Sequence, residues 1–228
     1  MSLTHSQSRL IAPLTALFVL TSPAVGQELA VAQSAPGEAR AASMPSSGSP
    51  QAVVWTLQAA LLKVMQEAQT MGFEGRYEFL KPVVAETFDV RFMGSKSVGR
   101  YWKKLDADQQ ALWLTKFAGY LTANYAGNFS EYDGESFEVL GEEASSRNTR
   151  VVLTRLNVPS GEDVVLNYRL REASPAEWRI IDIYLKGTVS ELALRRSDFS
   201  ATLKDKGFDE LTMAIDKKIA DLRKKGGG

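Results

Sequence analysis

Apolar residues recur at helical spacing in two parts of the chain, between residues 50 and 130 and after residue 195. The spacing predicts helices over residues 52–70, 76–92, 196–204 and 208–224, and a short helix or turn over 95–102. Gly72 is expected to stop the first helix, and Pro82 lies early in the second, where a missing N–H is tolerable. Asp106 begins the clearest helix, which runs to about Phe129, because it is a good N-cap that pairs with Gln109 as a capping box.

Short apolar runs bounded by turn-forming residues predict four β-strands in the second half of the chain. They cover residues 136–140, 149–158, 164–171 and 178–185. Apolar and polar residues alternate along 164–171, which is typical of an antiparallel sheet with one solvent-exposed face. The order of helices, strands and helices therefore predicts an α+β fold, in which helices pack on one face of a curved four-stranded antiparallel sheet.

The first 50 residues differ in composition from the rest and predict an exported protein. Arg9 is followed by an apolar stretch over residues 10–20, too short to span a bilayer, and small residues precede Gly26. We interpret residues 1–26 as a cleaved signal peptide, with an uncleaved anchor as the alternative. Residues 27–50 contain no aromatic residue and predict a disordered leader. The folded domain is then expected over residues 51–225, outside the inner membrane.

Charge and residue usage exclude several classes of function. The chain has 27 basic and 27 acidic residues, and this balance argues against nucleic-acid binding. It has no cysteine, and its one histidine, His5, lies in the predicted signal peptide. The mature protein would therefore lack the usual ligands of a transition metal and the base of a Ser-His or Cys-His mechanism. We expect no metal site and no cofactor.

Aromatic residues form a stripe along the predicted helices, which consists of Phe88, Phe92, Trp102, Trp113, Phe117, Tyr120, Tyr125 and Phe129. The apolar sheet positions opposite this stripe are Leu166, Tyr168, Leu170, Ile181 and Ile183. The stripe is either an ordinary core or the lining of a cleft between the helices and the sheet.

Two acids and one basic pair are candidate functional groups. Asp89 and Asp182 lie within apolar patterns, where burial could raise a carboxyl pKa toward that of a general base. Structural roles are favoured for both, as a helix cap or as the partner of Arg91, Arg100 or Arg196. Residues 195–196, both arginine, could hold a phosphate at a helix start or form an ordinary salt bridge.

The C-terminal third carries a pattern of motifs. Residues 178–183 read W-x-I-x-D-I, Gly187 and Ser190 follow, and residues 196–199 read R-S-x-F. This order resembles the signature of the toluene-tolerance/MlaC-type family of periplasmic lipid-binding proteins. Further similar stretches are residues 82–94, 100–102, 109–125 and the turn at 132, so the resemblance covers nearly all of residues 75–224. The departure is at residues 188–189, where the family more often has a single Val before the Ser. Residues 132–142 resemble the branch associated with hopanoid biosynthesis.

The resemblance implies a lipid carrier that has no enzymatic activity. It implies an apolar cavity between the sheet and the helices, which would hold the tails of a hopanoid or a phospholipid during transport between the inner and outer membranes. The residues expected to contact lipid are Phe88, Phe92, Trp102, Trp113, Phe117, Tyr120, Leu121, Tyr125, Leu166, Tyr168, Ile181 and Ile183. Implied partners are an inner-membrane ABC transporter complex with a membrane-anchored lipid-binding subunit, and an outer-membrane lipoprotein or a hopanoid exporter.

Two other functions are compatible with the sequence. One is an enzyme on a cone-like α+β scaffold that acts on an apolar ring substrate, with Asp89 or Asp182 as its base. The other is an assembly subunit of a transport complex, which would have a solid core and bind no lipid.

Overall fold

A computed structural model describes residues 45–226 of the chain. The predicted signal peptide, residues 1–26, and most of the predicted leader, residues 27–50, lie outside this range. Within it, the first helix begins at Pro50, and the Ser49 side chain caps it by accepting a hydrogen bond from the Ala52 N–H.

The N-terminal half is helical. It comprises α1 (Pro50–Gln66), α2 (Ala68–Thr87), α3 (Val90–Ser97), a 3-10 turn (Gly99–Lys104) and α4 (Ala107–Asn128). The backbone of Gly72 has φ 57° and breaks the helical path inside α2, close to where a stop was predicted. Asp106 and Gln109 form both hydrogen bonds of the capping box, which confirms the predicted start of α4.

The prediction of one helix over residues 76–92 is wrong, because the chain leaves the helix at Phe88. That residue is extended and forms a β-bridge with Ile180, and the Asp89 N–H donates to the Ile180 carbonyl at 2.9 Å. Asp89 then caps α3 by accepting from the Phe92 N–H at 2.8 Å. Contact with the sheet therefore interrupts a segment whose apolar spacing alone predicts one continuous helix.

The second half contains the sheet and two helices. The strands are β1 (Ser136–Ser145), β2 (Thr149–Asn157), β3 (Val164–Ser174), β4 (Glu177–Leu185) and β5 (Val189–Ser190), and the helices are α5 (Glu191–Asp205) and α6 (Phe208–Gly226). The strands are antiparallel in the order of the chain. The four predicted strands are present, and β5 is a short fifth strand that the prediction lacked. Ser190 caps α5, and this helix begins at Glu191, five residues before its predicted start at residue 196.

One face of the sheet packs against helices, and this contact forms the core. Val152 and Leu156 of β2 and Leu170 of β3 are buried there. A polar link crosses the same interface, because the Gln58 Nε2 of α1 donates to the Thr154 Oγ1 at 3.1 Å. Helices packed on one face of a curved antiparallel sheet confirm the α+β class.

Candidate functional site

An apolar cavity lies between α4, strands β3 and β4, and the start of α5. Its lining residues are Met93, Phe117, Tyr120, Leu121, Asn124, Tyr125, Asn128, Phe129, Val164, Leu166, Tyr168, Ile183, Leu185, Glu191, Leu192 and Arg195. The α4 residues of this wall recur three or four positions apart, so they share one face of the helix. The α5 residues are positioned by the Ser190 cap, which fixes where that helix begins.

The cavity is narrow. Its volume is about 100 Å³. One wall is the start of α5, which follows the two-residue strand β5. In another wall, β3 and β4 are held together by a ladder of paired residues.

Three tyrosines give the apolar wall hydroxyl groups that stay neutral. Burial raises the pKa of Tyr168 and of Tyr125, and in Tyr125 a neighbouring Tyr168 adds to the rise. Burial also raises the pKa of Tyr120, while the positive charge of Arg195 opposes it. These side chains therefore offer weak donors and aromatic surface, and no phenolate at neutral pH.

One corner of the cavity is polar. The Arg195 Nη2 donates to the Glu191 Oε2 at 3.0 Å, and its guanidinium lies 5.2 Å from the centre of the Tyr120 ring. Burial raises the pKa of the Glu191 carboxyl; Arg195 opposes this rise, and Asp182 adds to it. Nearby on α4, the Asn128 Nδ2 donates to the Asn124 Oδ1 at 3.2 Å. The cavity thus combines a long apolar wall with a charged pair at one end.

Seven of the twelve residues predicted to contact lipid line this cavity. They are Phe117, Tyr120, Leu121, Tyr125, Leu166, Tyr168 and Ile183. They come from α4, β3 and β4, so the structure does bring the helix stripe and the apolar sheet face together around one space.

Two of the other five residues pack in the core beside the cavity. Trp113 is fully buried and donates its indole N–H to the Gly94 carbonyl at 2.9 Å. Its ring centre lies 5.3 Å from that of Phe199, in an edge-to-face arrangement. Trp113 lies eight residues before Leu121, or about 12 Å along the helix axis, and Phe199 fills the space there. Phe88 lies behind the wall, with its ring 5.7 Å from that of Tyr125.

The remaining three residues lie elsewhere for different reasons. The Phe92 ring is covered by the Arg171 guanidinium at 4.7 Å. Trp102 is half-buried in the 3-10 turn, where its carbonyl accepts from the Gln110 side chain at 3.1 Å. Ile181 is skipped in the pairing of β3 with β4, because a bulge lies between Asp182 and Ile180. The bulge shifts the alternation of β4, so that Ile180 and Ile183 face the helices.

The polar corner was not among the residues predicted to line the cavity. Asn124 and Asn128 continue the spacing of the aromatic stripe and are the signal that was available. Glu191 and Arg195 have the i, i+4 spacing of an ordinary surface ion pair, so their sequence positions alone do not place them on a cavity wall.

Both candidate acids have structural partners. The Arg171 Nε donates to the Asp89 Oδ2 at 2.7 Å, so that this carboxylate both caps α3 and pairs with an arginine that the sequence did not suggest. Asp182 accepts hydrogen bonds from the Ile183 N–H, the Ser190 hydroxyl and the Leu192 N–H. Neither lines the cavity.

Residues 45–226 lack two further features. No helix in that range combines the length and the apolar character needed to cross a bilayer. The same range contains no group of three or more His, Cys, Asp or Glu side chains arranged to hold a metal ion.

Comparisons with known proteins agree with this geometry. The family model described as MlaC protein matches residues 56–217. A solved structure of a phospholipid-binding protein from Ralstonia solanacearum, in complex with a phospholipid, matches with a TM-score of 0.66 and 21% sequence identity. The match covers 76% of this chain and 98% of that one. At this identity the likeness shows that the two proteins share a fold.

Proposed function

The chain belongs to the MlaC family, and we propose that it is a periplasmic carrier that encloses the tails of a lipid in the cavity and ferries it between the inner and outer membranes. The observation that carries this proposal is the apolar cavity itself, which lies between α4 and the sheet and has a charged pair at one end.

The physical role of such a carrier is to reduce the exposure of lipid tails to water. Each CH₂ group transferred into an apolar environment contributes about 0.8 kcal/mol, so an acyl chain crossing water alone meets a large barrier. Enclosure lowers that barrier and requires no bond to be made or broken. The polar headgroup can remain near the mouth of the cavity.

Different observations support the two candidate lipids. A phospholipid is supported by the Ralstonia solanacearum protein of the same fold, which was solved with a phospholipid bound. A hopanoid is supported by residues 132–142, which resemble the hopanoid-associated branch of the family. Both ligands present apolar surface to the cavity wall, so the wall alone does not discriminate between them.

The location and the partners follow from the N-terminal sequence and the family. Export is supported by Arg9 and the apolar stretch over residues 10–20. We propose delivery to or from an inner-membrane ABC transporter complex with a membrane-anchored lipid-binding subunit, and exchange with an outer-membrane lipoprotein or a hopanoid exporter.

The enzyme alternative is weakened by the partners of its candidate bases. Asp89 is paired with Arg171, and Asp182 accepts three hydrogen bonds. Neither carboxylate faces the cavity, so an apolar substrate bound there would meet no base from this pair.

A charge placed on the cavity wall tests the carrier directly. Leu121→Glu puts a carboxylate at a cavity-lining position that is 7% exposed. Phe117→Glu puts one at a second buried, cavity-lining position one turn earlier. An unpaired charge in an apolar site costs several kcal/mol. Leu112→Glu is the matched control, because Leu112 is on the same helix but 44% exposed.

We expect Leu121→Glu and Phe117→Glu to fold but to lose bound lipid, since water can enter a cavity from which lipid has left. Leu112→Glu should keep both its fold and its lipid. Circular dichroism melts and lipid extraction on the same samples, purified from the periplasm, measure both properties. Unfolding of both cavity variants would mean that the stripe is a solid core and would favour the assembly subunit.

A further inference from the structure

One carboxylate oxygen in the polar corner of the cavity is buried without a hydrogen-bond partner among residues 45–226. The Glu191 side chain is 13% exposed; its Oε2 accepts from Arg195, whereas its Oε1 is buried and accepts nothing from the protein. Glu191 lines the cavity beside Leu192 and Asn124. The polar corner therefore contains a buried acceptor without a partner, next to a cation.

Such an arrangement is costly unless a further donor reaches it. A buried acceptor left unsatisfied carries a desolvation penalty, and this penalty is larger for a charged group. Arg195 donates to Oε2 alone while its guanidinium lies over the Tyr120 ring, so Oε1 receives no donor from it. A donor from a bound ligand removes the penalty.

A second groove connects this corner to the surface. It shares Tyr120, Asn124 and Arg195 with the cavity, and its other wall is formed by Lys218, Asp221, Leu222 and Lys225 of α6. Among all the residues that line the groove, Arg195, Lys218 and Lys225 are basic and Asp221 is acidic. Asp221 is paired with Lys217 at 2.7 Å. The residues that line the groove are therefore net positive as a set, which suits an anionic group of the ligand.

We infer that the polar corner is a headgroup subsite for a phospholipid whose head carries an N–H or O–H donor next to its phosphate. The donor binds the Glu191 Oε1, and the phosphate lies toward Arg195 and the basic groove, while the tails follow the apolar wall past Leu121. This inference rests on the proposed lipid-carrier function and adds a preference among headgroups, because a head without a donor leaves the Glu191 Oε1 unsatisfied.

Three phospholipids with the same acyl chains test the subsite. Phosphatidylcholine has no N–H or O–H donor in its head, phosphatidylethanolamine has N–H donors, and phosphatidylglycerol has O–H donors. Full-length mature protein, stripped of lipid, is incubated with vesicles containing the three lipids in equal amounts, and the retained lipid is identified by native mass spectrometry. We expect at least about fivefold more ethanolamine or glycerol lipid than choline lipid, given the cost of an unsatisfied buried acceptor. Which of the two is retained more identifies the donor as ammonium or hydroxyl.

Substitutions at Glu191 link the preference to this side chain. Glu191→Leu removes the acceptor and should bring the retained lipids to equal amounts. Glu191→Gln keeps a carbonyl acceptor and should retain part of the preference, so it remains informative if the Leu variant does not fold. Glu210→Leu, at an exposed position of α6, is the matched control and should behave like the wild type.

Two outcomes overturn the inference in distinguishable ways. If the wild type retains phospholipid but takes choline lipid equally, or if Glu191→Leu keeps the preference, the corner is not a headgroup subsite and the carrier function stands. If the wild type retains none of the three lipids, the phospholipid-carrier function fails along with the subsite.

Discussion

Asp182 connects β4 to the first turn of α5, and replacing it should loosen this junction. Its carboxylate accepts from the Ile183 N–H at 2.8 Å, the Leu192 N–H at 3.1 Å and the Ser190 hydroxyl at 2.6 Å. The residue is 8% exposed, so water does not readily replace these partners. The carboxylate thus holds the strand end and the helix start in register.

The expected cost depends on how many of these bonds the new side chain keeps. Hydrogen bonds to a charged group contribute about 1.5–3 kcal/mol each. Asp182→Asn keeps one carbonyl acceptor and can donate to the Ser190 oxygen, so we expect a loss of about 1–2 kcal/mol in the free energy of unfolding. Asp182→Ala leaves the two backbone N–H groups without this acceptor, and we expect about 3–5 kcal/mol.

Urea unfolding followed by circular dichroism, with lipid extraction of the same preparations, checks this prediction. Asp198→Asn, at an exposed position of α5, is the control and should change stability by less than about 0.5 kcal/mol. Asp182→Asn should keep its lipid, because Asp182 does not line the cavity. A fully stable Asp182→Asn protein that has lost its function would refute the structural role and favour the enzyme alternative.

Three further outcomes are expected. N-terminal sequencing of protein purified from its native host should show cleavage near Gly26, and a mature chain that begins at Met1 would contradict it. Elemental analysis of chelator-washed protein should find no stoichiometric zinc or iron, since cleavage removes His5 and the chain has no cysteine. Arg76→Ala should lower the free energy of unfolding by at least about 2 kcal/mol in the same urea assay, because the buried Arg76 donates to the Ala126, Ala68 and Gly226 carbonyls; an unchanged midpoint would show that these bonds contribute little.

Local signals in the sequence predicted the features that depend on neighbouring residues. The capping box of Asp106 and Gln109 gave the start of α4, and the backbone freedom of Gly72 gave the break near the start of α2. Alternation along β3 gave the apolar sheet face, with Leu166 and Tyr168 on the cavity.

Features that depend on distant contacts were not predictable in this way. Phe88 leaves its helix because it pairs with Ile180, which is 92 residues away in the sequence, and Ile181 leaves the apolar face because of a bulge. The aromatic stripe is longer than the cavity. Trp113 belongs to the stripe but packs against Phe199 of α5, and the sequence does not predict this contact.

Native mass spectrometry of protein purified from its native host will show whether the cavity between α4 and the sheet encloses a lipid. We expect a species heavier than the mature chain by the mass of one lipid, which is released on denaturation and depleted in Leu121→Glu but not in Leu112→Glu. Protein that carries no lipid under non-denaturing conditions, or that carries it equally in both variants, would contradict the enclosure of a lipid in this cavity.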